Sequence, residues 1–392
     1  MLFGCRGAVV ASGCFAAVST AVCSVSSVVL LLTFLLSGRV AATLREAFTH
    51  PVGKALLVFV LWLLISAFYA PTAWTVKLTA LLSWQKLFFV FLVLGLFGEP
   101  LWKRRFIECF TWFMAALAVV SIVLWGLGVN YSGNGPGIIL TNYIAQSLAF
   151  TAALLCCMHW LTQSCSRRRY WVVAAAAVFV FNIFIVSPAR SGYIALPPAM
   201  LVAGMCFFGR RILPKFLLAL ALALGIAAMS SNTLRHRVEL GLHELNSYQA
   251  SENLTSVGLR MVLYTNSWEL IQKRPWLGYG TSSFAKVFHE HVAEKYQDWR
   301  GVGTTDPHNQ YLFVWFENGL AGLILFLGYI VVAFHAGLRR PPYGYLAMGL
   351  LASFCVSSLF SSHFKTYPEG NLLAFFLSAM LAGPPLTSRP YD

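Results

Sequence analysis

His308 is the residue in this sequence best placed to act as a base. It stands in TTDPHNQYLFVWFENGLAGLILFL, residues 304–327, where a polar, turn-forming segment leads directly into a long apolar run. Asp306 is typical of a helix N-cap and Pro307 of a first helical residue, which predicts His308 in the first turn. A helix N-terminus attracts anions and disfavours the imidazolium, so we expect a neutral histidine that can accept a proton. A histidine that only caps or packs there is the alternative. Glu317, nine residues later, falls on the opposite face of that helix.

Two arginines could supply positive charge for an anionic substrate. Arg190, in IVSPARSGYIAL, stands between two apolar runs on the side where the charge pattern of the chain disfavours basic residues. An arginine kept there usually has an anionic partner, and its planar guanidinium suits phosphate oxygens. An anchor among lipid headgroups is the alternative. Arg260 lies on an amphipathic stretch, where a solvated surface charge is the simpler interpretation if it is taken alone.

The composition places these residues in a membrane protein. Of the 392 residues, 58% are hydrophobic and only 11% are charged, and the mean hydropathy is +0.70. Apolar runs of the roughly 20 residues that a spanning helix needs follow one another almost end to end. The net charge of +14 does not indicate nucleic-acid binding, because the basic residues separate apolar runs, as cytoplasmic loops do. The basic clusters are Lys103-Arg104-Arg105, Arg167-Arg168-Arg169, Arg210-Arg211 with Lys215, and Arg339-Arg340.

These clusters predict an all-α polytopic protein with both termini in the cytoplasm. The stretch 8–37 favours a tight hairpin, which gives about twelve transmembrane helices, or eleven if it is one long helix. The domains expected are an N-terminal bundle (1–230), a mostly helical external loop domain (231–307) and C-terminal transmembrane helices (308–392). The other predicted spans lie at about 55–71, 74–97, 106–128, 142–160, 171–187, 192–209, 212–230, 308–336, 343–362 and 369–384.

Within the external domain, the sequence predicts an amphipathic helix from about Thr255, ended by Pro275. Its apolar stripe comprises Leu259, Leu263, Asn266 and Leu270. The following PWLGYG predicts a turn built on Gly278 and Gly280.

No metal or cofactor site is expected. The nine cysteines lie in or beside apolar runs, without disulfide or zinc-site spacing. The three aspartates, Asp298, Asp306 and Asp392, form no Asp-x-Asp pair. Hard cations need several oxygen ligands, which these aspartates do not bring together. The positive charge for an anionic substrate is therefore expected from arginines and not from a metal.

At these residues the sequence resembles the O-antigen ligases, which belong to a wider superfamily of O-antigen polymerases and ligases. The resemblance covers roughly 170–327, and the first half of the chain matches only in its pattern of spans. The matching motifs are Arg190-Ser191-Gly192-Tyr193-Ile194; Arg260, Trp268, Pro275-Trp276-Leu277-Gly278-Tyr279-Gly280 and Phe284; and His308-Asn309, nine residues, then Gly319-Leu320-Ala321-Gly322.

The resemblance implies a GT-C-like glycosyltransferase of the bacterial inner membrane, working at the periplasmic face. It would move a glycan from undecaprenyl pyrophosphate to a sugar hydroxyl of lipid A-core, among membrane lipids. Arg190 and Arg260 would bind the donor pyrophosphate, and His308 would be the general base. Lys86 and Lys365 are further candidates for the donor, and Asn309 and His363 for the acceptor or for support. Direct attack by the hydroxyl would invert the anomeric carbon.

Three alternatives stay open. An O-antigen polymerase would use the same donor with a second lipid-linked glycan as acceptor, and a pilin O-oligosaccharyltransferase would modify a protein. A transporter is the rival from another class, and it would favour ionisable groups near the bilayer midplane. Lys86, near the middle of its predicted span, is the best indication of one, although a lysine inside the bundle fits equally well.

Overall fold

The computed structural model describes residues 1–163, 166–187, 189–209 and 256–385, together with short runs between 211 and 225. These residues form helices, turns and loops, and no β-strand occurs among them. The prediction of an all-α protein is therefore confirmed. The predicted span 212–230 and the first part of the predicted external domain, 231–255, lie almost wholly outside the described residues.

The N-terminal apolar stretch forms a hairpin of two helices, α1 (Leu2–Phe15) and α2 (Thr20–Leu35). Ser19 caps α2, since its backbone is extended and its hydroxyl accepts the Val22 N–H at 3.4 Å. Across the hairpin, the Cys23 thiol donates to the carbonyl oxygen of Ser12. The hairpin expected for this stretch is thus confirmed, and the single long helix is wrong.

Most later helices coincide with predicted apolar runs, with two differences. A short helix over 40–49, which was not predicted, leaves α2 at an angle of 110°. The predicted span 74–97 is broken at 83–85 into two helices, so Lys86 begins the second of them. The helices are α3 (Val40–Thr49), α4 (Pro51–Phe68), α5 (Trp74–Leu82), α6 (Lys86–Leu96), α7 (Pro100–Gly126), α8 (Tyr143–Gln163), α9 (Ser166–Phe181) with a π-helical turn (Asn182–Val186), α10 (Arg190–Phe208), α11 (Ser256–Lys273), α12 (Phe284–Lys295), a 3-10 turn (Trp299–Gly301), α13 (Gln310–Leu338), α14 (Tyr343–Ser357) and α15 (Tyr367–Leu381).

Among the described residues, six helical segments are long and apolar enough to cross a membrane, or seven if α2 and α3 form one bent span. Three further apolar helices, α1, most of α10 and α14, are shorter than a full span. The core lies around α8, which is buried over almost its whole length, and around α14 and α15. A polytopic membrane protein is confirmed, whereas the count of twelve spans stays a prediction.

Basic residues gather at one end of the bundle. Lys103 donates to the carbonyl oxygens of Met380 and Ala382, and Arg340 donates to that of Gly383. Arg6 pairs with Glu99 at this same end, and Arg168 pairs with Glu108 on α7. This gathering is what the positive-inside rule requires of a cytoplasmic face. We call it the basic end; its orientation in a membrane stays a prediction.

The helices α8, α10, α13 and α15 all begin at the opposite end. Hydrogen bonds join their first turns and the loops before them: Asn142 to Glu369, Ser147 to Ser187, and the Gln310 side chain to the N–H of Phe364. Four helix N-termini therefore contribute positive partial charge to one face. We call this the N-terminal face, and α11, in the described part of the predicted external domain, packs on it through Tyr264.

Residues 256–280, in the described part of the predicted external domain, have the secondary structure predicted for them. Helix α11 runs to Lys273, two residues before Pro275, and Leu263, Asn266 and Leu270 on its predicted stripe are buried. The turn after it uses positive φ at Gly278 and Gly280, as predicted. The predicted helix and turn are therefore confirmed.

Candidate active site

His308 lies on the N-terminal face, just outside α13. Asn309 is the N-cap, because its Oδ1 accepts the N–H groups of Tyr311 at 3.0 Å and Leu312 at 3.1 Å. His308 precedes the cap, with a positive φ of 52°. The prediction that Asp306 caps the helix and that His308 lies in its first turn is therefore wrong. The physical reason is that two cap-forming side chains stand three residues apart, and the later one makes the helical contacts.

The His308 side chain remains accessible. It is 42% exposed, and its Nδ1 lies 3.5 Å from Oδ1 of Asp306. The same Oδ1 accepts the backbone N–H of His308 at 2.7 Å and the hydroxyl of Ser362 at 3.2 Å. A carboxylate thus lies beside Nδ1 of the imidazole.

Arg260 approaches His308 through α11. One turn after Arg260, the hydroxyl of Tyr264 donates to the carbonyl oxygen of Leu359 at 2.7 Å and lies 3.2 Å from that of His308. Residues four apart share a helix face, so Arg260 and Tyr264 point the same way. Burial raises the pKa of Tyr264, and the positive charge of Arg260 opposes that rise. The structure therefore brings the half-buried Arg260 to the same region as His308.

The loop between α14 and α15 brings Lys365 to this region as well. Its Nζ lies 4.1 Å from the centroid of the Phe313 ring and 3.5 Å from the carbonyl oxygen of Thr305. Its ammonium is near enough to act electrostatically on the carboxylate of Glu317. The side chain of Lys365 is partly buried in this position.

His363, on the same loop, is almost fully buried, with 1% of its surface exposed. Neither ring nitrogen has a hydrogen-bond partner in the described part of the chain. Burial lowers the pKa of His363, and the negative charges of Glu369 and Asp306 oppose that change. This histidine lies beneath the candidate site rather than at its surface, so its predicted contact with an acceptor has no support from its position.

Lys86 holds the loop in place. It is 2% exposed, and its Nζ donates to the carbonyl oxygens of Lys365 and of Thr366, the latter at 2.7 Å. A side chain at Gly370 would clash with it, because a Cβ there would lie 2.8 Å from Nζ. Lys86 is therefore a lysine of the bundle interior, as one of the two predicted interpretations had it, and it touches the loop that carries Lys365.

Arg190 is the first residue of α10, and its side chain lies outside the described residues. Its helix packs closely on α8, since a Cβ at Gly192 would lie 2.6 Å from Cβ of Ser147. The hydroxyls of Ser147 and Ser187 are 2.9 Å apart across the same contact. Arg190 thus begins α10 on the N-terminal face. Helix α13, just after His308, and helix α15, which carries Glu369, begin on the same face.

The sequence did not predict that α13 is interrupted at Gly319, where φ is 67°. The turn of PWLGYG fills the interruption. Its Tyr279 and Gly280 N–H groups donate to the carbonyl oxygens of Phe316 and Glu317 at 3.0 and 2.7 Å. In return, the N–H of Leu320 donates to the carbonyl oxygen of Pro275 at 2.8 Å. We call this pairing of residues 275–280 with 316–321 the clasp.

Side chains next to the interruption complete the clasp. Oε1 of Glu317, which is 3% exposed, accepts the N–H groups of Ser282 and Phe284 at 3.1 and 3.2 Å, at the start of α12. Oδ1 of Asn318 accepts from the hydroxyls of Ser66 and Thr281 at 2.6 and 3.0 Å. The clasp therefore fixes α11 and α12 against α13. The spacing of glycines in both motifs was the available signal, but nothing local showed that the two motifs bind each other.

The described residues hold no group of three or more His, Cys, Asp or Glu side chains that a metal ion would need. A polar cavity of about 210 Å³ is present at the basic end, far along the bundle from His308. It is lined by Arg6, Arg39, Glu46 and Glu99 among others. The chemistry offered on the N-terminal face is thus that of an accessible imidazole, cationic side chains and helix N-termini.

Fold and site together define a polytopic, helical membrane protein with an accessible histidine and cationic side chains on one face. A family model described as O-antigen ligase matches residues 175–327 of the chain. This match supports membership of the O-antigen ligase and polymerase superfamily. The matched range contains Arg190, Arg260 and His308, as well as both halves of the clasp.

One curated relative is an uncharacterised protein of Haemophilus influenzae. It is 26% identical over 214 residues, which cover 50% of this chain and 51% of that protein. The chain thus spans about half the length of the relative it matches.

Proposed function

We propose that this protein is an O-antigen ligase of the bacterial inner membrane, with its active site facing the periplasm. It transfers a glycan from undecaprenyl pyrophosphate to a sugar hydroxyl of lipid A-core, in lipopolysaccharide biosynthesis. The proposal includes a GT-C-like fold of about twelve spans and an external domain over 231–307. The observation that carries it is the accessible imidazole of His308, held next to the helix of Arg260 inside the range that matches the O-antigen ligase family.

Positive charge on the N-terminal face suits the donor. A pyrophosphate needs cations at headgroup depth, and Arg190, Arg260 and Lys365 are the proposed groups. Four helix N-termini point to the same face and favour an anion there. Lys86 contributes indirectly, because its contacts with two carbonyl oxygens fix the loop of Lys365.

The imidazole supplies the base. The imidazole of His308 removes the proton of the acceptor hydroxyl as its oxygen bonds to the anomeric carbon, and the pyrophosphate leaves with the electron pair of the broken bond. Because the leaving group is already a stable anion, it needs no strong acid. One displacement inverts the configuration at the anomeric carbon.

The experiment is an in vitro transfer assay with purified protein, undecaprenyl pyrophosphate glycan and rough lipopolysaccharide, scored by a gel shift. His308→Ala is expected to lower transfer by about a hundredfold to ten-thousandfold, the usual value of general-base assistance. The variant should fold normally, because the side chain is 42% exposed and its truncation leaves no core cavity.

The assay has two controls, a variant and a second reaction. His289→Ala, on α12 and away from the clasp contacts, should transfer as the wild type does. A second reaction offers only lipid-linked glycan, and elongation of that glycan in place of transfer to lipopolysaccharide would identify a polymerase. Full transfer by His308→Ala would show that the base lies elsewhere.

A further inference from the structure

We propose that Asp306 is a positioning residue for His308, which rests on the proposed role of His308 as a base. The carboxylate holds the imidazole with the proton on Nδ1, so that Nε2 is left free to take the proton of the acceptor hydroxyl. The geometry that points to this is the 3.5 Å distance between Nδ1 of His308 and Oδ1 of Asp306.

The carboxylate is itself fixed in place. Its Oδ1 accepts the His308 N–H and the Ser362 hydroxyl, and only 20% of the side chain is exposed. Pro307 between the two residues is buried and restricts the backbone further. A carboxylate held in this way can orient a histidine without rearranging when a substrate arrives.

Helix capping does not explain this carboxylate. Asn309 makes both capping contacts of α13, and Asp306 accepts no N–H group of that helix. What it does instead is close a turn around His308, whose positive φ of 52° is uncommon for a residue other than glycine. With this turn, Nδ1 of the imidazole lies 3.5 Å from the carboxylate.

The proton balance is simple. As the hydroxyl oxygen bonds to the anomeric carbon, its proton passes to Nε2, and the imidazolium that forms has the carboxylate of Asp306 beside Nδ1. A carboxylate on the far nitrogen both selects the tautomer and stabilises the charge that develops, as in serine hydrolases. Because the side chain of His308 is partly exposed, the proton then leaves to water.

Asp306→Asn tests the role of the carboxylate. The asparagine keeps an oxygen that can accept the His308 N–H, so the turn is preserved, but it removes the charge and can place an N–H opposite Nδ1. We expect turnover to fall by about tenfold to a hundredfold or more with little change in the KM for the donor. Asp298→Asn, which changes an exposed aspartate of the same domain, is the matched control and should be neutral.

A spectroscopic readout separates this proposal from the proposed function. In protein labelled with 15N-histidine, the imidazole shifts of His308, assigned by comparison with His308→Ala, report which nitrogen carries the proton. We expect Nδ1–H in the wild type and a shift towards Nε2–H in Asp306→Asn. This measurement needs no substrate, so it can succeed or fail whether or not the protein is a ligase.

Three results would overturn the inference. They are wild-type turnover in Asp306→Asn, unchanged imidazole shifts in that variant, or a loss of transfer seen only in Asp306→Ala. The last would mean that Asp306 serves the turn and not the imidazole. If instead His308→Ala retained activity while the shifts changed as expected, the proposed base would be wrong and the orienting contact would stand.

Discussion

Among the residues proposed to bind the pyrophosphate, Arg190 should be especially sensitive to replacement by lysine, because a guanidinium offers a planar pair of donors and an ammonium does not. Arg190→Lys is therefore expected to lower transfer about a hundredfold, equivalent to about 3 kcal/mol of lost charge stabilisation. The measurement is the rate of glycan transfer at saturating acceptor. Arg45→Lys, at an exposed position near the basic end, serves as the control for exchanging the cation. Near-normal transfer by Arg190→Lys would make Arg190 a headgroup anchor.

The burial of His363 allows a prediction of how the stability of the protein depends on pH. Burial lowers its pKa in the folded protein below the unfolded value of about 6.5. The contribution of neutral His363 to stability is therefore fully present above about pH 6.5. Below that pH the unfolded chain takes up a proton at this histidine more readily than the folded protein does, so the contribution is lost. His363→Gln should make the midpoint of thermal unfolding fall less between pH 7.5 and 5.5 than it does in the wild type. His335→Gln, at an exposed position in the last helical turn of α13, should leave the fall unchanged. If the midpoint fell by the same amount in both variants, His363 would not be the source of the pH dependence.

Single residues show clearly what sequence can and cannot predict. His308 and Arg260 were identified by their types and positions, and the structure places their segments together. The N-cap was assigned wrongly because Asp306 and Asn309 are equally good caps, and the choice depends on contacts with Ser362 and the following helix. Local propensity contains no information about such contacts.

At the scale of elements, the clasp explains why glycine stands at Gly278 and Gly319. Both have positive φ, and a Cβ would lie 2.5 Å from the Phe316 carbonyl oxygen in the first case and 2.1 Å from that of Trp276 in the second. Any side chain would therefore force the turn out of the interruption in α13. Arg260 and the rest of α11 would then lose their fixed distance from His308.

The element-scale prediction follows. Gly319→Ala should destabilise the protein by about 1–3 kcal/mol and lower transfer, since strained φ and backbone clashes add. Gly328→Ala is the matched control: it lies on the same helix, has open space around its Cα, and should be neutral or slightly stabilising. The measurement is thermal unfolding in detergent together with the transfer rate. Equal melting of the two variants would mean that the clasp does not constrain α13.

Helices were predictable from the sequence wherever the pattern that indicates them lies in neighbouring residues. The apolar runs and the stripe of α11 gave helices at the expected places, because periodicity and length are properties of neighbouring residues. The interruption of α13 was missed, because its hydrogen bonds are made with residues about forty positions earlier. Glu317 contacts the start of α12 and not His308, but these contacts could not be inferred from a helical-face argument, because His308 lies outside α13.

At the scale of the whole molecule, charge is divided between two ends. The basic end holds the clusters that the positive-inside rule describes, whereas the N-terminal face combines few cationic side chains with four helix N-termini. Of the 14 acidic residues, only three are aspartates. Oδ1 of Asp306 accepts from His308 and Ser362, and the described residues bring no three His, Cys, Asp or Glu side chains together around a metal position.

This distribution predicts that glycan transfer does not depend on a divalent metal. Arginine, lysine and helix dipoles are proposed to neutralise the pyrophosphate, which needs no oxygen-rich cation site. Transfer measured in EDTA should equal transfer in added Mg²⁺, provided that ionic strength is held constant, because screening alone would weaken an electrostatic site. A loss in EDTA that Mg²⁺ restores would contradict the proposal. In that case the donor would bring its metal with it, and Arg190→Lys would cost much less than a hundredfold, so the two experiments check each other.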